Sequence, residues 1–273
     1  QIAVANLMMN LKMNNSKTID ESMVRHMILN SIRMYRMEHH NKYGEVVLTW
    51  DSKHSWRRDY FPEYKASRRK GREESDLNWD DIFGTLNKIR NEIKENFPYK
   101  YLEVFGAEAD DIIGFLCEEN KDEKIMIISG DKDFIQLQKY PNVKQWSPIT
   151  KKDVNGFDPT IYLKEHILKG DTSDGVPNVL SPDNTFVDGL RQRPLSRKKI
   201  QSWLIGGGSN WNDEVKRNFQ RNSTLIDLSR TPEELKNQIR LEYNNAPHGD
   251  RSKLLNYFMQ NKLKELTENI GEF

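Results

Sequence analysis

One cysteine, Cys117, stands in 273 residues, which excludes an intramolecular disulfide framework and fits a reducing compartment. Its neighbours Ile112-Ile113-Gly114-Phe115-Leu116 mark it as a buried structural thiol rather than a nucleophile. Long apolar runs are also missing. None approaches the ~20 residues that cross a bilayer, and no secretory leader is visible. A soluble, cytoplasmic protein without a membrane partner is expected. Excess charge of either sign is absent, with 42 Lys and Arg against 41 Asp and Glu. Net charge therefore points to no partner, and only the placement of charge along the chain can. No His/Cys cluster suits zinc. Gly206-Gly207-Gly208 is a loop and not a phosphate cradle, because no strand precedes it. What is present is charge in quantity, at 30% of residues against 36% hydrophobic. The length allows one large domain or two smaller ones.

Helical spacing of Met23, Met27, Ile28, Ile32 and Tyr35 predicts a helix over 22–43, ended by Gly44. Residues 45–50 read as a strand, 79–97 as a helix stopped before Pro98, 99–105 as a strand and 108–119 as a helix. A strand over 124–128, a helix over 134–139 and a short strand over 142–147 follow. Residues 53–72 show no apolar period. Strands alternating with helices predict an α/β fold with a doubly wound, mostly parallel sheet. Beyond about residue 150 the strand signal fades into short helical stretches that end in a last helix over 253–268. The expected division is a catalytic α/β domain over 1–150 and a helical region over 151–273.

The acids fall where such a sheet binds ligands, beyond the carboxyl ends of its strands. Asp51 follows the first strand read, Glu108, Asp110 and Asp111 open the helix after the second, and Asp131 and Asp133 follow the third. Asp171 and Asp174 form a further pair in the second half. Each group alone is explained by the preference of carboxylates for a helix N-terminus. Together they would repel strongly on one edge without a cation. Mg²⁺ takes oxygen ligands, and two such ions ~4 Å apart serve phosphodiester hydrolysis. Two Mg²⁺ ions, with Mn²⁺ as a substitute, are expected.

Between Lys53 and Arg72, eight cations face two acids, with Trp56, Tyr60, Phe61 and Tyr64 interleaved. Cations beside aromatics suit single-stranded nucleic acid, against the alternative of a solvated loop. Trp56, Arg57, Arg58, Tyr64, Arg68 and Lys70 are the candidate contacts. A second basic cluster, including Arg197, Lys198 and Lys199, holds no acid; duplex phosphate binding and a plain surface helix fit it equally.

Trp56-Arg57-Arg58-Asp59-Tyr60, Glu108-Ala109-Asp110-Asp111, Ser129-Gly130-Asp131-Lys132-Asp133-Phe134 and Leu168-Lys169-Gly170-Asp171 resemble the flap endonuclease/5′-exonuclease family. The likeness is greatest to its T-even bacteriophage branch, the ribonucleases H, and includes Tyr140-Pro141-Asn142-Val143-Lys144-Gln145-Trp146. It runs over nearly the whole chain. The resemblance implies a PIN/5′-nuclease-like fold with a C-terminal helix–three-turn–helix region at about 161–205. It implies a 5′→3′ exonuclease and flap endonuclease that removes RNA primers in phage DNA replication, in the host cytoplasm. A first metal would lie among Asp51, Glu108, Asp110 and Asp131, and a second near Asp133, Asp171 and Asp174. Residues 53–72 would form an arch for the 5′ strand, with Lys65 and Arg72 at the scissile phosphate. DNA bearing a 5′ flap, nick or RNA primer is the implied partner, with a single-strand-binding protein and a sliding clamp beside a monomeric enzyme.

Two departures accompany the likeness. The family's first-strand Asp would precede Gln1-Ile2-Ala3, and a sequence opening on Gln1 reads as the middle of an element. The hairpin that holds potassium in many relatives reads Val176-Pro177-Asn178-Val179-Leu180-Ser181-Pro182, which argues against potassium. Two rival readings stay open. Without that first-strand Asp, the chain would be a structure-selective DNA-binding protein without catalysis. Asp131-Lys132-Asp133 also suits a haloacid-dehalogenase-type phosphatase, although that chemistry expects the pair after the first strand.

Overall fold

A computed structural model describes residues 2–13, 19–208 and 210–273, with the side chains at 2, 12, 13, 69 and 70 outside the description. In chain order the first elements are α1 (Ile2–Met13), α2 (Glu21–Tyr43), β1 (Val47–Thr49), α3 (Trp56–Tyr60), α4 (Ser67–Glu73) and α5 (Trp79–Asn96). Next come β2 (Lys100–Leu102), α6 (Ala109–Glu119), β3 (Ile125–Ile128), β4 (Val143–Ser147), β5 (Lys152–Asp153) and α7 (Pro159–Lys169). The chain closes with α8 (Arg197–Gly206), α9 (Asp213–Ile226), α10 (Glu233–Asn245), α11 (Leu254–Gln260) and α12 (Lys264–Glu268). A 3₁₀ helix over Lys132–Lys139 stands where a short α-helix is predicted.

Two compact units form. The first comprises Gln1–Thr49, Glu74–Leu102 and Glu242–Phe273; the second comprises Trp50–Glu73 and Glu103–Leu241. In the first unit β1 and β2 pair in parallel, Val47 opposite Lys100. The apolar stripe of α5, Ile82-Leu86-Ile89-Ile93, recurs every three or four residues and is buried, as a core-facing helix requires. The buried stripe of α2 is Val24, Ile28, Leu29 and Ile32, one position round from the expected one, so Met23 is left exposed. Arg25 makes this rotation possible, because Glu92 satisfies its guanidinium at 2.7 and 2.8 Å. The predicted last helix breaks into α11 and α12, where Lys262 adopts a left-handed φ of 55°. Phe273 is fully buried and meets Phe97 and Phe258 at 5.7 and 5.1 Å between ring centroids.

In the second unit β3 and β4 run parallel, Ile125 opposite Val143, and β5 joins β4 antiparallel. Cys117 packs with Ile127, Phe134, Leu137, Val143 and Leu228 in this unit's core. Burial pushes its thiol up to about 12, which suits an inert structural residue. The stretch 53–72 is not irregular: α3 and α4 occupy much of it. Their apolar period was invisible because the buried apolar side chains, Phe61 and Tyr64, lie between the two helices and join a core with Ile167, Val176, Leu225 and Ile226.

Candidate metal centre

Every described site acid belongs to the second unit, and each is aimed by local chemistry. Past β1 the chain is held beside the start of α6 by Ser52 N–H donating to the Ala107 carbonyl (3.0 Å) and Trp56 N–H to Gly106 (2.9 Å). Asp51 then accepts from the Ala109 N–H at 2.7 Å, which fixes it beside the acids that open α6. Asp131 caps the 3₁₀ helix by accepting from the Asp133 N–H at 3.1 Å. Gln145 of β4 clamps the same loop, donating to the carbonyls of Ser129 and Asp131 at 2.9 and 2.6 Å. Asp171 and Asp174 sit in a turn closed by reciprocal backbone bonds between Asp171 and Val176, 2.8 and 2.7 Å. Gly170 enters that turn at φ 69°, and a Cβ there would lie 2.3 Å from the Val176 carbonyl, so no other residue fits unchanged.

The acids divide into two electrical classes. Asp111 is fully buried and accepts from five donors: both Arg57 terminal nitrogens at 2.8 Å, the Thr231 hydroxyl at 2.8 Å, the Glu108 N–H at 2.9 Å and the Trp56 indole at 3.2 Å. Burial opposes its charge, but Arg57 and these donors hold its carboxyl below the ordinary range. Arg57 also donates to the Leu225 carbonyl at 2.8 Å. Glu108 accepts from Lys65 at 2.6 Å and Tyr64 at 2.8 Å, with Arg57 at 3.3 Å.

Asp110, next in sequence to Asp111, behaves in the opposite way. Burial raises its pKa well above the ordinary value, and Asp131, Asp133 and Asp51 raise it further. Asp133 is likewise raised to about 7 by burial and by Asp131, Asp171 and Asp174, although His166 opposes the shift. Asp174 is raised chiefly by burial, which outweighs Lys65 and Arg68. Asp171 goes the other way: burial opposes its charge, but His166, the Ser173 hydroxyl and the Asp174 N–H hold it far below the usual range. Glu108, Asp110, Asp133, Asp171 and Asp174 line one small cavity with Arg57 and Tyr64, closed on its other side by Val176, Leu225, Ile226 and Leu228. Carboxylates from distant parts of the sequence are therefore brought together, and Asp110 and Asp133 meet like charges there.

Several expected roles change. Arg57 and Tyr64, expected at nucleic acid, are buried at 2% and 3% exposure with their polar atoms committed to acids, so neither is open to a strand. Asp111, expected among the metal ligands, has its lone pairs taken by Arg57 and its companions. Lys65 has a left-handed φ of 56° and lies between Glu108 and Asp174; burial opposes its charge, but those acids hold its pKa above the ordinary value. Arg68 pairs with Asp174. Arg72 lies near the end of α4, Trp56 is half-buried, and Arg58, Arg197, Lys198 and Lys199 are exposed. The Lys70 side chain lies outside the described residues. Sequence reasoning missed His166, whose ring nitrogens face Asp133 at 3.5 Å and Asp171 at 3.4 Å. Its only sequence signal is a position five residues before Asp171.

Residues 5–166 match the model for the 5′-3′ exonuclease N-terminal resolvase-like domain, and residues 158–273 match the T4 RNase H C-terminal model. The chain belongs to the 5′-3′ exonuclease family. Ribonuclease H of Enterobacteria phage T4 is 35% identical over 291 residues, covering all of this chain and 93% of that relative. A 5′-3′ exonuclease of Buchnera aphidicola subsp. Schizaphis graminum is 30% identical over 161 residues, 56% of this chain and 53% of its own. Among solved structures, a bacteriophage T5 flap endonuclease complexed with DNA and metal ions shares the fold. Its TM-score is 0.61 at 18% identity, over 88% of this chain and 95% of that one. T5 5′-exonuclease with bound divalent zinc aligns with a TM-score of 0.58 at 17% identity, over 98% and 96%. Membership of this family sets aside the phosphatase reading. Among the described residues no helix is long and apolar enough to cross a membrane.

Proposed function

We propose that this protein is a divalent-metal-dependent 5′-nuclease that hydrolyses phosphodiesters of DNA and RNA·DNA at 5′ flaps, nicks and RNA primers. The observation that carries the reading is the burial of Asp110 beside Asp131, Asp133 and Asp51: burial first, and then these neighbouring acids, raise its pKa well above normal. Such an arrangement is costly in a protein that never binds a cation there. The donors fit a hard ion, being carboxylate oxygens on one side of a small cavity.

Asp51, Asp110 and Asp131 would hold one ion, with Glu108 at its edge. Asp133, Asp171 and Asp174 would hold another. Mg²⁺ is the proposed ion, with Mn²⁺ as its substitute. When bound, such ions supply a Lewis acid for the phosphodiester and lower the pKa of water. Asp111 takes no ligand role; paired with Arg57, it anchors the start of α6 so that Asp110 is aimed correctly. Lys65 remains charged between Glu108 and Asp174 and contacts the scissile phosphate together with Arg72. Positive charge fixed there before reaction stabilises the negative charge that develops. Arg58, Arg68 and Lys70 would guide the single strand beside Trp56, and Arg197, Lys198 and Lys199 the duplex backbone. The linear division near residue 150 would then separate catalysis from duplex grip. In a phage-infected cytoplasm the monomer would work beside a single-strand-binding protein and a sliding clamp.

The test is cleavage of a labelled flap, a nicked duplex and an RNA-primed duplex, each with and without Mg²⁺. Release of short 5′ products only with the ion supports the reading. Tight binding of all three without any cleavage would replace it with a DNA-binding protein that lacks catalysis.

A further inference from the structure

His166 is fixed to the carboxylates by three separately braced segments. Asp133 is held by its bond to Asp131. His166 lies in the last turn of α7, where its carbonyl accepts from the Gly170 N–H at 2.8 Å. Asp171 is held by the bridge to Val176 and by the Ser173 N–H and hydroxyl at 2.8 and 2.6 Å. One ligand atom from each of Asp133, His166 and Asp171 lies within 4.8 Å of the other two; among the described residues no other such group occurs. The ring is 16% exposed and meets Tyr162, one turn earlier, edge-on at 6.0 Å.

The spacing is informative. Charge-assisted N–H···O⁻ bonds close to about 2.7–2.9 Å, yet the imidazole stands 3.5 Å from Asp133 and 3.4 Å from Asp171. It has collapsed onto neither acid, although both are within reach. Lysine or arginine in this position would serve only as a counter-charge, whereas imidazole offers a lone pair once an ion displaces the proton that Asp171 and Asp133 favour on the metal-free ring.

We propose that His166 is a nitrogen ligand which, with Asp133 and Asp171, makes one divalent site of mixed oxygen and nitrogen donors that favours transition metals over Mg²⁺. This rests on the metal-dependent reading above. Oxygen-only sites suit Mg²⁺, Ca²⁺ and Mn²⁺, whereas an imidazole shifts preference toward later metals such as Co²⁺ and Zn²⁺ and favours Mn²⁺ relative to Mg²⁺. One site of the pair would therefore answer to the transition-metal supply while the other, built from Asp51, Asp110 and Asp131, stays with Mg²⁺.

The experiment is pulsed electron paramagnetic resonance of the full chain loaded with Mn²⁺, beside equilibrium binding of Mn²⁺ and Mg²⁺, on the parent, His166→Gln and His166→Asn. The expected result is a ¹⁴N coupling of directly bound imidazole in the parent that is lost in both variants. Both variants should still melt cooperatively, and the preference for Mn²⁺ over Mg²⁺ should fall on the order of tenfold. Mn²⁺ bound without nitrogen coupling in the parent would overturn the inference and leave the metal reading standing. Coupling that persists in both variants would assign the nitrogen to another histidine and overturn it too. No Mn²⁺ binding in the parent would overturn both.

Discussion

Asp110 and Asp111 are adjacent in sequence and opposite in physics. Asp111 is enclosed by Arg57, Thr231, Trp56 and its own helix N-terminus, and its pKa is held low. Asp110 is buried near Asp131, Asp133 and Asp51, and burial, reinforced by these charges, pushes its pKa up. The same contrast separates a neutralised floor, Arg57-Asp111-Tyr64-Glu108, from an acidic rim that repels itself. On the proposed reading, Arg57 and Asp111 in the floor act through stability and the rim acids through ion binding. A carboxylate's role in such a site is therefore read from its donors, and sequence position alone does not give it.

The sharpest way to break the contrast is to strip the floor. Replacing Arg57 with Met leaves the Asp111 charge buried and unpaired, a loss of about 3–5 kcal/mol where a buried pair loses one partner. Denaturant unfolding of the metal-free protein measures it, and a shift below about 1 kcal/mol would mean Asp111 is neutral or solvated. At the rim, Asp110→Asn should lower single-turnover cleavage by more than about a hundredfold, near 2.7 kcal/mol in the barrier, while leaving the metal-free fold equal or more stable. Loss of stability equal to that of Arg57→Met would erase the distinction between the two classes.

Proton linkage sharpens it further. Asp133 titrates at about 7 in the fold, above its unfolded value near 3.8. A carboxyl whose pKa is raised on folding destabilises the fold as pH rises from the unfolded value to the folded one. Metal-free protein should therefore lose stability from Asp133 between about pH 4 and 7, and saturating Mg²⁺ should flatten that slope; a rise over the same window without metal would contradict it. The smallest effect belongs to the exposed basic cluster proposed for the duplex, Arg197, Lys198 and Lys199. Lys199→Ala should weaken DNA binding a few-fold with a shallower salt dependence and no change in metal affinity, read from binding isotherms at two salt concentrations.

Much of this was legible in the sequence. Asp51, Asp110, Asp131 and Asp133 could be grouped because each follows a recognisable strand, and a strand–turn–helix pattern carries its turn to the ligand edge. Arg57 misled because a cation in a basic, aromatic stretch looks solvated, while its partner Asp111 lies 54 residues away. His166 was missed because a lone histidine has no local pattern, and only the packing of α7 near the 3₁₀ helix gives it Asp133 as a neighbour. The rotated stripe of α2 depends on the distant Glu92, and periodicity does not encode such a partner.

The most direct measurement compares the unfolding free energies of the parent and Asp110→Asn, each without metal and with Mg²⁺ at about a hundred times the parent's dissociation constant. The parent is expected to gain about 2.7 kcal/mol from the ion. Asp110→Asn should start at least as stable without the ion and gain much less from it. Equal gains in both proteins, or no gain in the parent, would contradict the claim that these acids form one cation pocket.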